Sequence, residues 1–393
     1  MSTYLFILGK HTKLSRAELT PFINEILFEP AVSLLLADNL RFKNPRKLPK
    51  SPEQIFLDRL GGTIRMAKVI GEFKSKKQLV ESIFQNSKPS ENSSNIKIGV
   101  SAFQTGKGFL PEFLKMIKKH FSAKKIQLRL ENSGGKNMTS GQIFDRKLLK
   151  KGAEFIVWQR GNSFLLSKTV ANQNLRNYVL RDRRKPFSDS KMGMLPPKLA
   201  QILINLADSD FSAKIIDPFC GSGTICTEAA VMGFKTIGSD FNKEFLAGAR
   251  KNFHFFAEKF RYPVDWGRFF VTEAQNFPWK DFPNEILVTE GWLGENFAKS
   301  PNLDQIEKEA IKVVKMWEKV FKNMQEVGPR KIVLCLPCWN FRGKNISISK
   351  KLFAKIEKSS YNPLALFENQ KTFIYKRDNA FVAREICVFE KTN

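Results

Sequence analysis

The sequence predicts an α/β chain in which a doubly wound, mostly parallel sheet follows an α+β half. Three observations carry this. From Lys214 onward, short apolar runs alternate with longer helical stretches, the pattern of strands joined by helical crossovers. A glycine-rich run, Asp217-Pro218-Phe219-Cys220-Gly221-Ser222-Gly223-Thr224, is entered by an apolar strand and left by a helical pattern. Before residue 170, half-buried alternating runs mix with helical segments in no regular βα order.

Taken in order, Tyr4-Leu5-Phe6-Ile7-Leu8 is a strand-like run closed by Gly9, and Ser15 with Glu18 three residues on predicts a capping-box helix start. The proline-rich, basic stretch Arg41–Pro52 predicts a connection, ending an N-terminal α/β segment (1–52). A second unit, 53–170, holds alternating strands at Ile64–Ile70 and Ile96–Val100 with a polar loop, Lys88–Asn95, between them. Phe155–Trp158 and Phe164–Leu166 flank Gly161-Asn162 as a hairpin. Residues 171–195, rich in charge and turn formers, predict a linker. In 196–393, Pro196-Pro197 suit the first turn of a helix whose Leu199, Ile202, Leu203 and Leu206 share one face. Strands follow at Ile215-Ile216, Lys235–Gly238, Arg268–Val271, Ile286–Thr289 and Lys331–Leu336. A closing antiparallel pair is expected at Thr372–Arg377 and Ala383–Phe389.

Composition narrows the partner. The 393 residues carry 65 Lys and Arg against 38 Asp and Glu, a formal charge of +27. Residues 1–180 hold 31 basic and 13 acidic side chains, so two thirds of the excess lies in the shorter half. A cation-rich surface of this kind points to nucleic acid; no basic amphipathic helix with a bulky aromatic face or lipidation motif argues for a membrane surface. No apolar stretch approaches the ~20 residues that span a bilayer, and no basic region precedes an apolar core at the N-terminus. Five cysteines, an odd number, do not form a disulfide framework, so a reduced, cytoplasmic protein is expected. Cys335-Leu336-Pro337-Cys338 is a lone pair without a second pair of ligands, and no metal is expected. Cys220 and the aromatics Phe253, Phe255 and Phe256 are expected to pack the core.

The glycine-rich run carries the chemistry. At the carboxyl end of a first strand, Gly221 and Gly223 let a ligand approach backbone N–H groups where a Cβ would collide. Cys226 stands where a dinucleotide fingerprint needs a small residue, and no Gly-Lys-Ser/Thr follows as in a nucleoside triphosphate loop. A leading acid, Asp217, would repel phosphate and attract a cationic or amino group.

Asp-Pro-Phe-Cys-Gly-Ser-Gly-Thr resembles the first motif of S-adenosylmethionine-dependent amino-methyltransferases. The resemblance implies that Asp217 faces the amino group of the cofactor's methionine part, with Pro218, Phe219, Cys220, Gly221, Gly223 and Thr224 forming the cradle. It implies that Asp240, followed by Phe241, holds the ribose, and that Glu273-Ala274 meets the adenine. Met194–Ala200 with the preceding Gly193, Asn137–Ile143, Leu148–Glu154, the opening Tyr4–Gly9 with Leu14–Leu19, and the closing Tyr375–Asp378 and Arg384–Ile386 are similar to segments of THUMP-domain tRNA guanine-N2 methyltransferases that modify position 10. The implied architecture is a Rossmann-like class I methyltransferase domain (196–393) preceded by a THUMP-like RNA-binding domain (53–170). The implied partner is tRNA, with the linker cations Arg181, Arg183, Arg184 and Lys185 as further phosphate contacts.

That family carries an Asn/Asp-Pro-Pro-Tyr/Phe motif after the fourth strand. There an acid or amide accepts the hydrogens of a poorly nucleophilic amine and an aromatic stacks on the base, stacking being worth ~1–3 kcal/mol. Here Thr289-Glu290-Gly291-Trp292-Leu293-Gly294 stands instead. Three alignments remain open: Glu290 as the acid with Leu293 at the aromatic position, Thr289 with Trp292, or Glu290 and Trp292 together in a rearranged turn. Glu290, Trp292 and Thr289 are therefore the catalytic candidates. The altered turn also motivates a second expectation, a non-catalytic tRNA-binding protein that keeps the fold; a DNA amino-methyltransferase is a third.

Overall fold

The computed structural model describes residues 2–29, 31, 33–38, 40–42, 48–87, 95–132, 134–188, 194–207, 211–297, 300–366, 369–377 and 380–392. Nearly all of the expected Lys88–Asn95 loop, residues 43–47 of the Arg41–Pro52 connection, residues 189–193 of the expected linker and Asp378 lie outside them. The chain forms two compact units, Met1–Asn177 and Tyr178–Asn393.

The first unit is one eight-stranded sheet with helices. Its strands are β1 (Tyr4–Leu8), β2 (Asn24–Glu29), β3 (Leu34–Asp38), β4 (Thr63–Phe73), β5 (Asn95–Phe103), β6 (Gln127–Leu130), β7 (Ala153–Arg160) and β8 (Ser163–Asn172), in the order β2-β3-β1-β4-β8-β7-β5-β6. Its helices are α1 (Thr12–Leu19), α2 (Pro52–Arg59), α3 (Lys76–Gln85), α4 (Phe109–Ala123), α5 (Ser140–Asp145) and α6 (Leu148–Lys151). β1 reads as a continuous apolar run because both of its faces are covered: Tyr4, Phe6 and Leu8 pack in one cluster, Leu5 and Ile7 in another. The β7–β8 hairpin turns at Gly161-Asn162, with Gly161 at φ +56° and Arg160 opposite Ser163.

Two expectations are corrected here. The boundary at residue 52 does not divide the fold, because β1 pairs with β4 in one ladder. Ser15 and Glu18 are not a capping box: α1 starts three residues earlier, after His11. Glu18 is buried and accepts the Gly61 and Gly62 N–H groups, each at 2.8 Å, so the Ser-x-x-Glu spacing serves a tertiary contact.

α7 (Leu175–Arg183) occupies the middle of the expected 171–195 linker, and Phe187 lies against Gly248, where a Cβ would come within 2.2 Å of its ring. Much of that segment is thus packed structure. Charge composition suggested solvent exposure, but Tyr178, Arg181 and Leu195 are buried and Phe187 is half-buried, while Leu175 and Val179 stay exposed.

In the second unit the elements are α8 (Pro197–Ala207), β9 (Ile215–Asp217), α9 (Thr224–Met232), β10 (Thr236–Asp240), α10 (Lys243–Phe260), β11 (Gly267–Val271), β12 (Ile286–Thr289), α11 (Leu303–Asn323), β13 (Lys331–Phe341), β14 (Lys344–Ser347), α12 (Ser349–Ile356), β15 (Tyr361–Pro363), β16 (Thr372–Tyr375) and β17 (Val382–Lys391). The sheet order is β11-β10-β9-β12-β13-β17-β15, with β14 on β13 and β16 on β17. β9 to β13 are parallel, and β17 runs antiparallel to β13. Each predicted strand is present to within a few residues. α8 is buried almost all round, not on one face alone. The chain winds outward from β9 through β10 to β11 and then restarts on the other side at β12. A ligand crevice is expected where that reversal happens, at the carboxyl ends of β9 and β12.

Candidate active site

β9 is three residues long and fully buried, and it ends in Asp217, 2% exposed, at the carboxyl edge of the sheet where the crevice is expected. Its Oδ1 accepts the Phe219 N–H at 3.1 Å and the Thr289 hydroxyl at 2.6 Å. Burial pushes this carboxyl up to about 7, and the neighbouring Asp240 and Glu290 add to the rise despite the two hydrogen bonds. An acid so placed is short of a cation.

Thr289 was expected among the catalytic candidates. It is fully buried, donates to Asp217 and accepts the Gly291 N–H at 3.0 Å. Its hydroxyl therefore ties β9 to β12 and shapes the following turn, a structural duty that sequence spacing did not reveal.

The glycine loop closes on the second strand. Gly221 (φ +50°) donates its N–H to Asp240 Oδ2 at 2.9 Å, Asn242 donates to Oδ1 at 2.9 Å, and the Cys220 N–H meets the Ser239 carbonyl. Asp240 thus organises the loop, and each carboxylate oxygen keeps capacity for a further donor. Gly223 (φ +79°) starts α9, and a Cβ there would come within 3.0 Å of Ala249. Cys220 is buried in the cluster around α10, which also holds Phe253 and Phe256. Phe219 packs on Trp317, ring centroids 5.4 Å apart. Thr224 is half-buried at the first turn of α9, and Pro218 is buried.

On the outer side, Phe241 is 72% exposed, an unusual state for so large an apolar ring. Glu273 is exposed and bonded to the Gln275 amide at 2.5 Å, while Ala274 is buried at the start of a single 3₁₀ turn.

After β12, Glu290 forms an ion pair with Arg384 of β17; their side chains are 19% and 7% exposed. Burial raises the Glu290 carboxyl, and Arg384 and Arg377 pull it back down. Gly291 adopts φ +70°, and a Cβ there would lie 2.7 Å from Trp317. Trp292 is half-buried against the core. Downstream, the buried Glu309 of α11 accepts the Glu295 N–H at 3.0 Å. Sequence reasoning missed Arg384 and Glu309. A charged Arg-Glu pair inside the otherwise apolar strand Ala383–Phe389 was the signal available for the first.

The linker cations separate into two groups. Arg181 is corrected: it is 6% exposed, paired to the buried Glu228 at 2.6 Å, and stacked over Tyr178 and Phe260. Lys185 is half-buried, 3.3 Å from Ser222 of the glycine loop, and burial lowers its amine. Arg183 and Arg184 are exposed. Cys335 and Cys338 are both buried in β13, and a three-residue offset in a strand puts them on opposite faces. Among the described residues no group of three or more His, Cys, Asp or Glu could hold a metal ion, and no helix is long and apolar enough to cross a membrane.

The first unit has a cavity of about 520 Å³ lined by Lys97, Arg129, Leu130, Glu131, Asp145, Arg146, Lys147 and Lys151. Glu131 is 3% exposed and pairs with Arg129 at 3.0 Å and with Arg146 at 2.9 Å. Among the described residues, no carboxylate lies within ion-pair distance of the remaining three lysines, Lys97, Lys147 and Lys151.

Residues 181–276, which include the glycine loop, Asp240 and Ala274, match the family model UPF0020, described as RMKL-like, methyltransferase domain. This stretch of the second unit is thus similar to a methyltransferase domain. Relatives are consistent with this. The tRNA (guanine(10)-N2)-dimethyltransferase of Methanothermobacter thermautotrophicus is 33% identical over 90 residues, 23% of this chain and 26% of that protein. The enzyme of the same name from Pyrococcus abyssi is 32% identical over 129 residues, 33% of this chain and 36% of that one. The tRNA (guanine(6)-N2)-methyltransferase of Thermus thermophilus is 34% identical over 93 residues, 22% and 25% of the two chains. The chain therefore spans roughly a quarter to a third of the length of these relatives. Its fold is similar to that of TrmN from Thermus thermophilus, at TM-score 0.51 and 15% identity over 99% of both chains.

Proposed function

We propose that this chain is an S-adenosylmethionine-dependent tRNA methyltransferase acting on an exocyclic base amine, guanine N2. The observation that carries the reading is the buried Asp217 carboxyl, on which the acids Asp240 and Glu290, and no cation among the described residues, act. Three acids around one strand end suit a cofactor that carries an ammonium and a sulfonium, and they disfavour a phosphate-bearing one. Asp217 would hold the ammonium, the remaining acceptor capacity of Asp240 the ribose hydroxyls, and Ala274 with Phe241 the adenine. When bound, the cofactor supplies an electrophilic methyl group.

The chain's own residues then have defined work. The Glu290 carboxylate accepts the hydrogens of the target amine and orients its lone pair, while the exposed side of Trp292 offers a surface for the base. The match of residues 181–276 to a methyltransferase model and the names of the sequence relatives support this reading.

Nucleoside mass spectrometry after incubation of the full chain with unmodified tRNA and cofactor is expected to detect N2-methylated guanosine. Glu290→Ala should lower the rate ~100-fold or more, the range for loss of a positioned acid or base. Tight tRNA binding with no methylated nucleoside would favour the non-catalytic reading instead. Preference for duplex DNA at matched salt would favour the third.

The first unit is the proposed tRNA-binding half, of THUMP type, and its basic cavity is the proposed contact. Lys97→Glu with Lys151→Glu in the full chain should weaken tRNA binding and reduce the slope of log affinity against log salt by ~2, one for each lost phosphate contact. An unchanged slope in filter binding across 50–200 mM salt would place the footprint elsewhere.

A further inference from the structure

The segment after β12 has no proline, and Gly291 at φ +70° follows Glu290 directly, so the local sequence does little to immobilise the Glu290 side chain. Its surroundings do. The backbone is held by the Thr289 hydroxyl on the Gly291 N–H, by Trp317 against Gly291, and by Glu309 on the Glu295 N–H. The carboxylate itself is held by Arg384, whose Nε donates to Glu290 Oε1. Arg384 sits on β17, opposite Pro337 of β13 and Tyr375 of β16, two strands from β12 in the sheet order.

We infer that Arg384 is the positioning residue for Glu290: it reaches past β13 to aim the carboxylate and keep it ionised for the target amine. This rests on the proposed amine-directed reaction. A surface ion pair would have little such effect, but both partners here are largely withdrawn from water. One guanidinium N–H engages Oε1, leaving Oε2 to accept from a ligand. The other charge acting on Glu290 is Arg377, just after β16, whose own guanidinium donates to the Met194 carbonyl at 2.5 Å; Glu290 in turn raises Asp217 at the end of β9 and Cys335 in β13. Only Arg384 bonds to Glu290 directly among the described contacts. Arg377 acts as a more distant charge.

The sign of the pH effect follows. Protonation would turn one Glu290 oxygen into a donor while Arg384 occupies Oε1, so turnover falls on the acid side as Glu290 takes up a proton. Arg384 favours the ionised form, so its removal should move that acid limb to higher pH.

The test compares wild type, Arg384→Lys, Arg384→Gln and Glu290→Gln as full chains. Arg384→Gln is expected to lower kcat ~10- to 100-fold, the scale for a misplacement of about 1 Å. Its acid limb should shift upward, while cofactor affinity and KM for tRNA stay within ~2-fold. Arg384→Lys should recover part of kcat and place the limb between the two. In parallel, carbon-13 NMR of glutamate-labelled protein follows the Glu290 carboxyl, assigned by its absence in Glu290→Gln; its titration should move upward in Arg384→Gln. Wild-type kcat in Arg384→Gln, or a lower kcat with both the acid limb and the carboxyl titration unmoved, would overturn the assignment. If wild type transfers no methyl group but the carboxyl titration still moves, the proposed reaction fails and the hold of Arg384 on Glu290 stands. If neither is seen, both fail.

Discussion

Asp217→Asn should make the ligand-free protein more stable at pH 8 while weakening cofactor binding. The carboxyl has a folded value of about 7, raised chiefly by burial, against ~3.9 in an unfolded chain. Between those values the folded state holds a proton that the unfolded state has lost, so stability falls as pH rises through the window. Above it, the fold carries a buried charge. Asparagine is neutral at every pH, and its Oδ1 can still accept from the Phe219 N–H and the Thr289 hydroxyl, the two contacts seen at Asp217.

The variant should therefore melt roughly 5–10 °C higher than wild type at pH 8, for a few kcal/mol in a unit of this size, with the gap closing by about pH 4. Cofactor affinity should fall ~10- to 100-fold, the loss of one charge-assisted bond of about 1.5–3 kcal/mol. Wild-type affinity should itself rise from pH 6 to pH 8, since the acid must ionise to hold an ammonium. Calorimetric melting and titration at pH 4, 6 and 8 measure both. Equal melting temperatures throughout, or equal affinity in the variant, would remove Asp217 from its proposed role.

The second large effect belongs to the first unit. Glu154 on β7 is fully buried and pairs with Arg65 of β4, 4% exposed, at 2.7 Å. Ser101 donates to the same oxygen at 2.7 Å and Thr169 to the other, while Arg65 also donates to the Met138 carbonyl at 2.8 Å. Removing one partner leaves a buried charge uncompensated. Glu154→Ala should cost about 3–5 kcal/mol, a large share of the 5–15 kcal/mol that usually holds a domain together. Replacing both, as Arg65→Met with Glu154→Leu, should restore much of that, because the pair's desolvation largely offsets its attraction. Hydrogen exchange of the β4, β7 and β8 amides in urea reads the effect. A double variant as unstable as the single one would mean that the wider network, not the unpaired charge, carries the cost.

These two acids differ in how visible they are. Asp217 announces itself by standing before a glycine-rich turn at a strand end, a local pattern with a chemical reason. Glu154 sits in the apolar run Ala153–Trp158, where a lone acid looks like an interruption; only the neighbouring strands supply Arg65, Ser101 and Thr169. Glu290 lies between these cases. Its place after the fourth strand was readable, as was the absence of prolines around it. Its partner, 94 residues away on β17, was not. Arg181 shows the converse error: a run of basic residues suggested phosphate, and packing against Glu228, Tyr178 and Phe260 took one of them inside.

What the sequence alone determined is therefore what short-range chemistry can encode. Alternating apolar strands and helices set the α/β order, the glycine-rich turn located the crevice, and the uneven charge marked the first half as the cationic one. The tertiary structure decided the assignments that depend on which distant side chains share a desolvated space. It joined β1–β3 to β4–β8 in one sheet, turned Thr289 into a clamp for Asp217, and gave Glu290 its guanidinium. Periodicity reports which face of an element is buried. Partner choice is settled only when strands far apart in sequence become neighbours, because a buried charge is stabilised by the group beside it in space.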